Sequence, residues 1–435
     1  MPAGVMTMEQ NIMAAMAVTV FLFTYALIIS ERVHRTVAAL FGAAVVLFIR
    51  IVPWEKLPEY LDLDTLFLLI GMMIIVNTAK ESGLFEFIAI KTAKFAKGDP
   101  MRVLLMFSLV TALVSSVLDN VTTVLLLTPM LLYITKLMDV NPVPFLLSEV
   151  FASNIGGTAT LIGDPPNIMI GSAAGLSFND FLLNMGPIAA VDLLLSLGMI
   201  YLLYRGTMRV TGDKKDRILS AIEGLREDEA IRDYQLFKKS VTVIIGVVVL
   251  FFIHDRLGIE PAVVALFGAS TLLLWSRMEP DEILEKVEWT AIFFFVGLFI
   301  LVGSLVQTGV INDVARWVTG YISGTGEALF IITWFSAIAS AIVDNIPLTA
   351  AMIPLIKAMG SSMNIYPLWW ALSLGACLGG NGTAIGASAN VVVIGIASRE
   401  GVKITFMDFL KVGVIVMFTT VAVGMGLLWV RYIGV

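Results

Sequence analysis

Five blocks of this 435-residue chain recur in the same order about 225 residues further on, and that repetition constrains the fold more than any other feature. Ala39-Leu40-Phe41-Gly42-Ala43 returns as Ala265-Leu266-Phe267-Gly268-Ala269, and Gly71 and Gly83 return as Gly297 and Gly309. Asp119-Asn120 returns as Asp344-Asn345. Gly156-Gly157-x-x-Thr160-x-Ile162-Gly163-x-x-x-Asn167 returns as Gly379-Gly380-x-x-Thr383-x-Ile385-Gly386-x-x-x-Asn390, and Phe178-x-Asp180-Phe181-Leu182 as Phe406-x-Asp408-Phe409-Leu410. So long a period implies a duplicated unit, not a solenoid of short repeats.

The unit is a membrane one. Of all residues 58% are hydrophobic and 14% charged, where soluble domains carry about a quarter charged. Mean hydropathy is +0.92, and apolar runs of bilayer-spanning length recur along the chain. The first repeat reads as spans at about 11–30, 33–52 and 63–80, a hairpin at 101–137, a broken helix at 144–175 and a closing span at 186–204. The second reads as 240–257, 260–277, 289–306, hairpin 328–360, broken helix 367–398 and 409–430. Met1 to Gln10 lacks the basic start of a cleaved signal peptide, so the first span is expected to be retained.

Basic residues orient the halves. Nine Lys or Arg lie between Arg205 and Lys239, Arg209, Lys214 and Lys215 among them, which assigns this linker to the cytoplasm. The loop after the third span carries Lys80, Lys91, Lys94, Lys97 and Arg102, whereas its counterpart at 307–327 has only Arg316. Segment 171–187 has no Lys or Arg, whereas its counterpart has Arg399, Lys403 and Lys411. Equivalent loops thus have opposite bias. The expected fold is an all-α polytopic membrane protein of two inverted repeats, each of five spanning helices with a re-entrant hairpin and a broken helix. Residues 1–205 form the first repeat, 206–239 a cytoplasmic linker and 240–435 the second. Both termini face the periplasm of an inner membrane, and 84–97 is an amphipathic helix on the cytoplasmic surface.

Several functions are disfavoured. One cysteine, Cys377, allows no internal disulfide and no cysteine-cluster metal site, and reads as a small packing residue. His34 and His254 have no partner at metal-ligand spacing, so neither a metal nor a cofactor is expected. No phosphate-binding loop appears, nor a nucleophile–base pair for an intramembrane enzyme. A passive channel fits duplicated inverted units less well than a carrier does.

The hairpins are predicted to be re-entrant. Each is a long apolar stretch interrupted halfway by Asp-Asn, suggesting two half-length helices meeting inside the membrane. Asp119 and Asp344 suit N-caps; beyond capping, an ionisable group at that depth is usually functional. In the first broken helix Gly156, Gly157, Gly163, Pro165 and Pro166 disfavour continuous helix, with Pro165 opening a new half-helix capped by Asp164. The second copy replaces Asp164-Pro165-Pro166 with Ala387-Ser388-Ala389. Glycines that serve only close helix packing are the plain alternative. The candidate binding set is Asn120, Thr122, Asn154, Gly156, Gly157, Thr158, Thr160, Asn167, Asn345, Gly379, Gly380, Asn381, Thr383 and Asn390, with Asp119, Asp164 and Asp344 carrying protons or a cation. No arginine lies in these motifs, which favours a cation, a proton or a neutral polyhydroxy solute over a strongly anionic cargo. Lys136 and Lys357, after the hairpins, read as snorkelling side chains.

At Ser153–Asn167 and Ala376–Asn390 the chain resembles the ion transporter superfamily, in the branch of arsenite permeases, NhaD antiporters and the melanocyte P protein. The resemblance covers nearly the whole chain. It implies a scaffold and a transport domain per protomer, a homodimer, elevator-type movement, and a site at the hairpin tips and broken helices. Related dicarboxylate carriers have Ser-Asn-Thr at the tips, where this chain has Leu118-Asp119-Asn120 and Val343-Asp344-Asn345. That departure favours a proton-coupled carrier. Within the branch, arsenite and antimonite efflux against protons is the first reading, since uncharged trihydroxides suit an amide- and hydroxyl-lined pocket. Sodium/proton antiport, or carriage of another small anion, is the alternative. The expected partners are lipid, a small inorganic solute, protons or Na⁺, and a separate soluble ATPase if one energises transport, but no nucleic acid.

Overall fold

The computed structural model describes residues 8–30, 32–206, 208 and 213–434, and all regular structure among them is helical. Residues 1–7, Arg209 and the side chains of Lys214 and Lys215 lie outside the described residues. Eight of the described helices are long and apolar enough to cross a membrane, from Met8–Ser30 to Phe406–Tyr432, and shorter apolar helices such as Arg35–Phe48 and Pro261–Ser276 lie between them. The second span is shorter than its apolar run, because Arg50 takes a left-handed turn (φ 58°) just past Phe48. The linker also ends early. Asp233 Oδ1 accepts from the amides of Gln235 and Leu236 and starts helix Tyr234–Leu257, so Lys238 and Lys239 are helical.

The repeated blocks acquire physical reasons. Gly83 and Gly309 hold left-handed backbone, at φ 84° and 78°, ahead of matching helices Leu84–Phe95 and Val310–Thr319. Asp180 and Asp408 complete capping boxes with Ser177 and Thr405, which start Phe178–Asn184 and Phe406–Tyr432. Helix Leu84–Phe95 buries Phe85, Ala89 and Ala93, and ion pairs Lys94–Glu227 and Arg232–Glu86 tie it to the linker.

Helices Leu63–Glu81 and Trp289–Gln307 run through the core of the three-span units, each packed on the second span of the opposite repeat. A Cβ on Gly71 would fall 2.7 Å from the carbonyl carbon of Ala265, and one on Gly297 would fall 2.7 Å from that of Ala39. The contact is reciprocal, as a twofold-related pair requires. Gly297→Ala is therefore expected to cost about 1–3 kcal/mol, since backbone cannot yield as a side-chain tip can. Gly395→Ala, where a Cβ meets nothing within 4 Å, should leave thermal unfolding of the purified protein nearly unchanged.

Both hairpins form with Asp-Asn at the turn: Pro100–Ser115 with Asn120–Leu137, and Thr325–Ile342 with Asn345–Met359. Their arms are not half-length. At 16 and 18 residues the first pair reaches about 24 and 27 Å. The tips still meet the interruptions of the broken helices, so the extra turns lie at the open ends. The broken helices are Val143–Thr158 with Pro165–Ala174, and Tyr366–Gly379 with Ser388–Arg399.

Candidate functional site

Each interruption is closed by the same three bonds. Asn167 Nδ2 donates to the carbonyl of Thr160 at 2.9 Å, and Asn390 Nδ2 to that of Thr383 at 2.8 Å. The hydroxyls of Thr160 and Thr383 donate to the carbonyls of Ser116 and Ala341 at the ends of the first hairpin arms, both at 2.5 Å. Ser115 and Ser340 donate from the hairpins to the carbonyls of Ser153 and Ala376. Backbone groups freed by breaking a helix in an apolar interior need such partners.

The glycines serve backbone approach. A Cβ on Gly156 or Gly379 would strike the backbone of Ala112 or Ala337 in the neighbouring hairpin arm, and Gly157 and Gly380 face Gly163 and Gly386 across their own breaks. Their position matches the close-packing alternative.

The two halves join through amides. Asn154 accepts from Asn120 Nδ2 at 3.0 Å and donates through Nδ2 to Asn381 Oδ1 at 2.9 Å and Asn390 Oδ1 at 3.1 Å. One side chain therefore links the first hairpin tip, the first broken helix and both edges of the second break. Thr158 donates its hydroxyl to the carbonyl of Asn154. Asn167 Oδ1 accepts from Ser373 Oγ at 2.6 Å and lies 3.5 Å from Cys377 Sγ. Asn120 Oδ1, Thr123 Oγ1 and Asn381 Nδ2 are buried without a protein partner.

The three aspartates differ. Asp119 caps its helix by accepting from the amide of Thr122 at 2.9 Å, as Asp344 does from Ile346 at 3.1 Å. Asp164 holds the N-cap position but makes no cap bond, because Pro165 and Pro166 remove the first two amide donors and the Asp164 carbonyl takes the third, from Asn167. Its carboxylate instead accepts Asn345 Nδ2 at 3.1 and 3.3 Å, across the repeats, and is fully buried. Asp344 has a cation. Arg35 Nη1 lies 2.9 Å from Asp344 Oδ2 and donates to Ser388 Oγ at 2.7 Å, and its guanidinium lies 5.2 Å from the Phe294 ring centroid.

Arg35 corrects the expectation of a site without arginine. It starts the second span, outside every repeated block, and Pro261 stands at the matching place in the other half. Arg35, Asp344, Ser388 and Glu288 line a cavity of about 390 Å³. Cys377 is likewise more than packing, since it shares the Asn167 oxygen. His254 is structural, accepting from the amide of Phe178 at 3.3 Å. Lys136 lines a second cavity, beside Pro129 and Arg399. Among the described residues no group of His, Cys, Asp and Glu is arranged to hold a metal.

Comparison with known proteins places this geometry in context. A family model described as a citrate transporter, CitMHS, matches residues 25–375. An uncharacterized transporter of Mycobacterium tuberculosis is 44% identical over 429 residues, covering 97% of this chain and 99% of its own length. The P protein of Mus musculus is 33% identical over 502 residues; the match covers 96% of this chain but 60% of that protein. The crystal structure of the Alcanivorax borkumensis YdaH transporter, described as having an unusual topology, aligns with a TM-score of 0.60 at 14% identity over 97% of this chain and 98% of that one, a likeness of fold.

Proposed function

Because the chain belongs to the citrate transporter family, CitMHS, we propose that this multi-pass membrane protein is a proton-coupled secondary carrier of arsenite and antimonite, exporting them from the cytoplasm across the inner membrane. The observation that carries the reading is the Asn154 bridge between the two breaks. A neutral trihydroxide needs both donors and acceptors, and the unpartnered Asn120 Oδ1, Thr123 Oγ1 and Asn381 Nδ2 on the residues around that bridge supply both. Citrate, the cargo in the family's name, suits this lining poorly. Asp119, Asp164 and Asp344 would repel it, and the guanidinium of Arg35 is already paired with Asp344.

In this reading the hairpins and broken helices form the moving unit of a homodimeric elevator, and the three-span units its scaffold. Asp164 is the motif carboxylate best placed to take up and release a proton, because its partners, the Asn345 amide and the Cys377 thiol, are not cations. Asp119 is the second such group, and Asp344 is assigned to the clasp with Arg35.

Everted vesicles from cells stripped of their own exporters test the idea. Uptake of arsenite and antimonite is expected to need an inside-acid gradient and to stop on adding a protonophore, with ATP depleted throughout. Uptake indifferent to the gradient would remove the coupling claim; uptake that needs ATP while the gradient is held would bring in a soluble ATPase. Sodium/proton antiport is the second reading, favoured by the unpartnered Asn120 Oδ1 and Thr123 Oγ1 beside the first hairpin tip. It predicts sodium-dependent proton release and no response to arsenite.

A further inference from the structure

We propose that Glu149, which lies outside every repeated block, is a proton-binding residue of the transport cycle, neutral in the state seen here and loaded through the cavity beside the first hairpin. This deepens the proton-coupled reading above and rests on it for the transport arm of its test.

Glu149 is completely buried in the arm Val143–Thr158, just over one helical turn before Asn154. Its one polar partner among the described residues is Thr128, whose hydroxyl lies 3.0 Å from Oε2, and Oε1 has none. An ionised carboxylate would have to be paired or coordinated there. The basic groups on helices packed against this arm are Arg102, Lys136, Arg399, Lys411 and Arg431, and none makes an ion pair or hydrogen bond with Glu149. The acidic ones, Asp192 and Asp408, make no hydrogen bond with it, nor does Cys377 or any tyrosine on those helices. A protonated carboxyl is a single group that needs no counterion, and it can accept the Thr128 hydroxyl while keeping its proton on Oε1.

Two further observations point to exchange rather than to a frozen core acid. Glu149 is not demanded by the fold, because Leu372 holds the matching place in the second repeat, where the same crossing forms. The hairpin arm that carries Thr128 also carries Pro129. Proline removes the amide that would bond the carbonyl of Leu125 and loosens the helix there. Pro129 lines a cavity of about 740 Å³, together with Tyr133, Lys136 and Arg399. A small displacement of this arm from Val143–Thr158 would break the Thr128 bond and open Glu149 to water from that cavity. The step is then a reversible ionisation, with the O–H bond breaking and the proton passing to water. It places a proton site on the same arm as Asn154, with its Thr128 partner on the same hairpin arm as Asn120.

The full-length protein in lipid nanodiscs tests this without any cargo. Infrared difference spectra between acid and alkaline pH should show a carbonyl band of a protonated carboxyl that disappears in Glu149→Gln and persists in Asp164→Asn and Asp192→Asn, at the two other fully buried carboxylates. Thr128→Val, which keeps the side-chain shape, should move the pH midpoint of that band. A band unchanged in Glu149→Gln, or lost in Asp164→Asn or Asp192→Asn instead, overturns the assignment; an unmoved midpoint in Thr128→Val overturns the Thr128 contact as its control. In everted vesicles Glu149→Gln should lose gradient-driven arsenite accumulation at least tenfold while arsenite counterflow continues. If wild-type vesicles accumulate no arsenite, the cargo reading fails and the infrared result still decides the fate of Glu149.

Discussion

Asn154→Leu is expected to abolish transport while leaving the protein in the membrane. Leucine is close to asparagine in size, so the site stays filled, but three amides lose their partner at once: Asn120, Asn381 and Asn390. Each buried polar group left unmade costs about 1–3 kcal/mol. Even the low end, summed over three, exceeds two powers of ten in any equilibrium that needs this arrangement, so activity should fall at least 100-fold. Asn154→Asp keeps one acceptor but removes the donor to the second repeat, and should be nearly as damaging. Flux of whichever cargo the wild type moves, normalised to protein recovered in the membrane, is the measurement. A leucine variant with more than a tenth of wild-type flux would show that the bridge between breaks is dispensable.

Arg35→Ala is expected to reduce both stability and flux, and Asp344→Asn to restore part of the loss. The side chains of Arg35 and Asp344 are 34% and 15% exposed. That lies between surface pairs, worth up to about 1 kcal/mol, and buried pairs, where losing one partner costs about 3–5 kcal/mol. A loss of about 1–3 kcal/mol follows for Arg35→Ala, because it leaves Asp344 with only the Ser388 hydroxyl, 2.5 Å away, and its own cap bond to Ile346. A double-mutant cycle on thermal unfolding should give a coupling of at least about 1 kcal/mol. Strict additivity would mean that the two charges sit together without depending on each other.

The repeat made most of the fold legible. Matched Asp-Asn pairs located both hairpins, because each Asp caps a new helix, and matched glycine clusters located both breaks, although Gly156, Gly157 and Gly379 themselves sit in the last turns of helix. The same logic hid what the halves do not share. Arg35 corresponds to Pro261 in the other repeat, and Glu149 to Leu372, so a search for matched residues passes over both. Glu149 did leave a trace: it is the one charged residue in the apolar arm Val143–Thr158, and a charge at that depth is costly. Arg35 left less, since an arginine at a span end reads as an interfacial anchor until its reach to Asp344 is seen. The partner of Asp164 was out of view for another reason. Asparagine and aspartate 181 positions apart meet only once two separate units have folded onto each other.

The crossings at Gly71 and Gly297 carry a mechanical consequence. Where main chain lies on main chain at two equivalent points, there is no side chain to roll or shear, and any slip would meet atoms that cannot rotate aside. The three-span units therefore act as one stiff frame. Deformation during turnover has to be absorbed at looser seams, such as the one where Arg35 reaches Asp344 and Ser388 through side chains alone. A covalent cross-link across the frame should be harmless to turnover, whereas one across a seam should stop it.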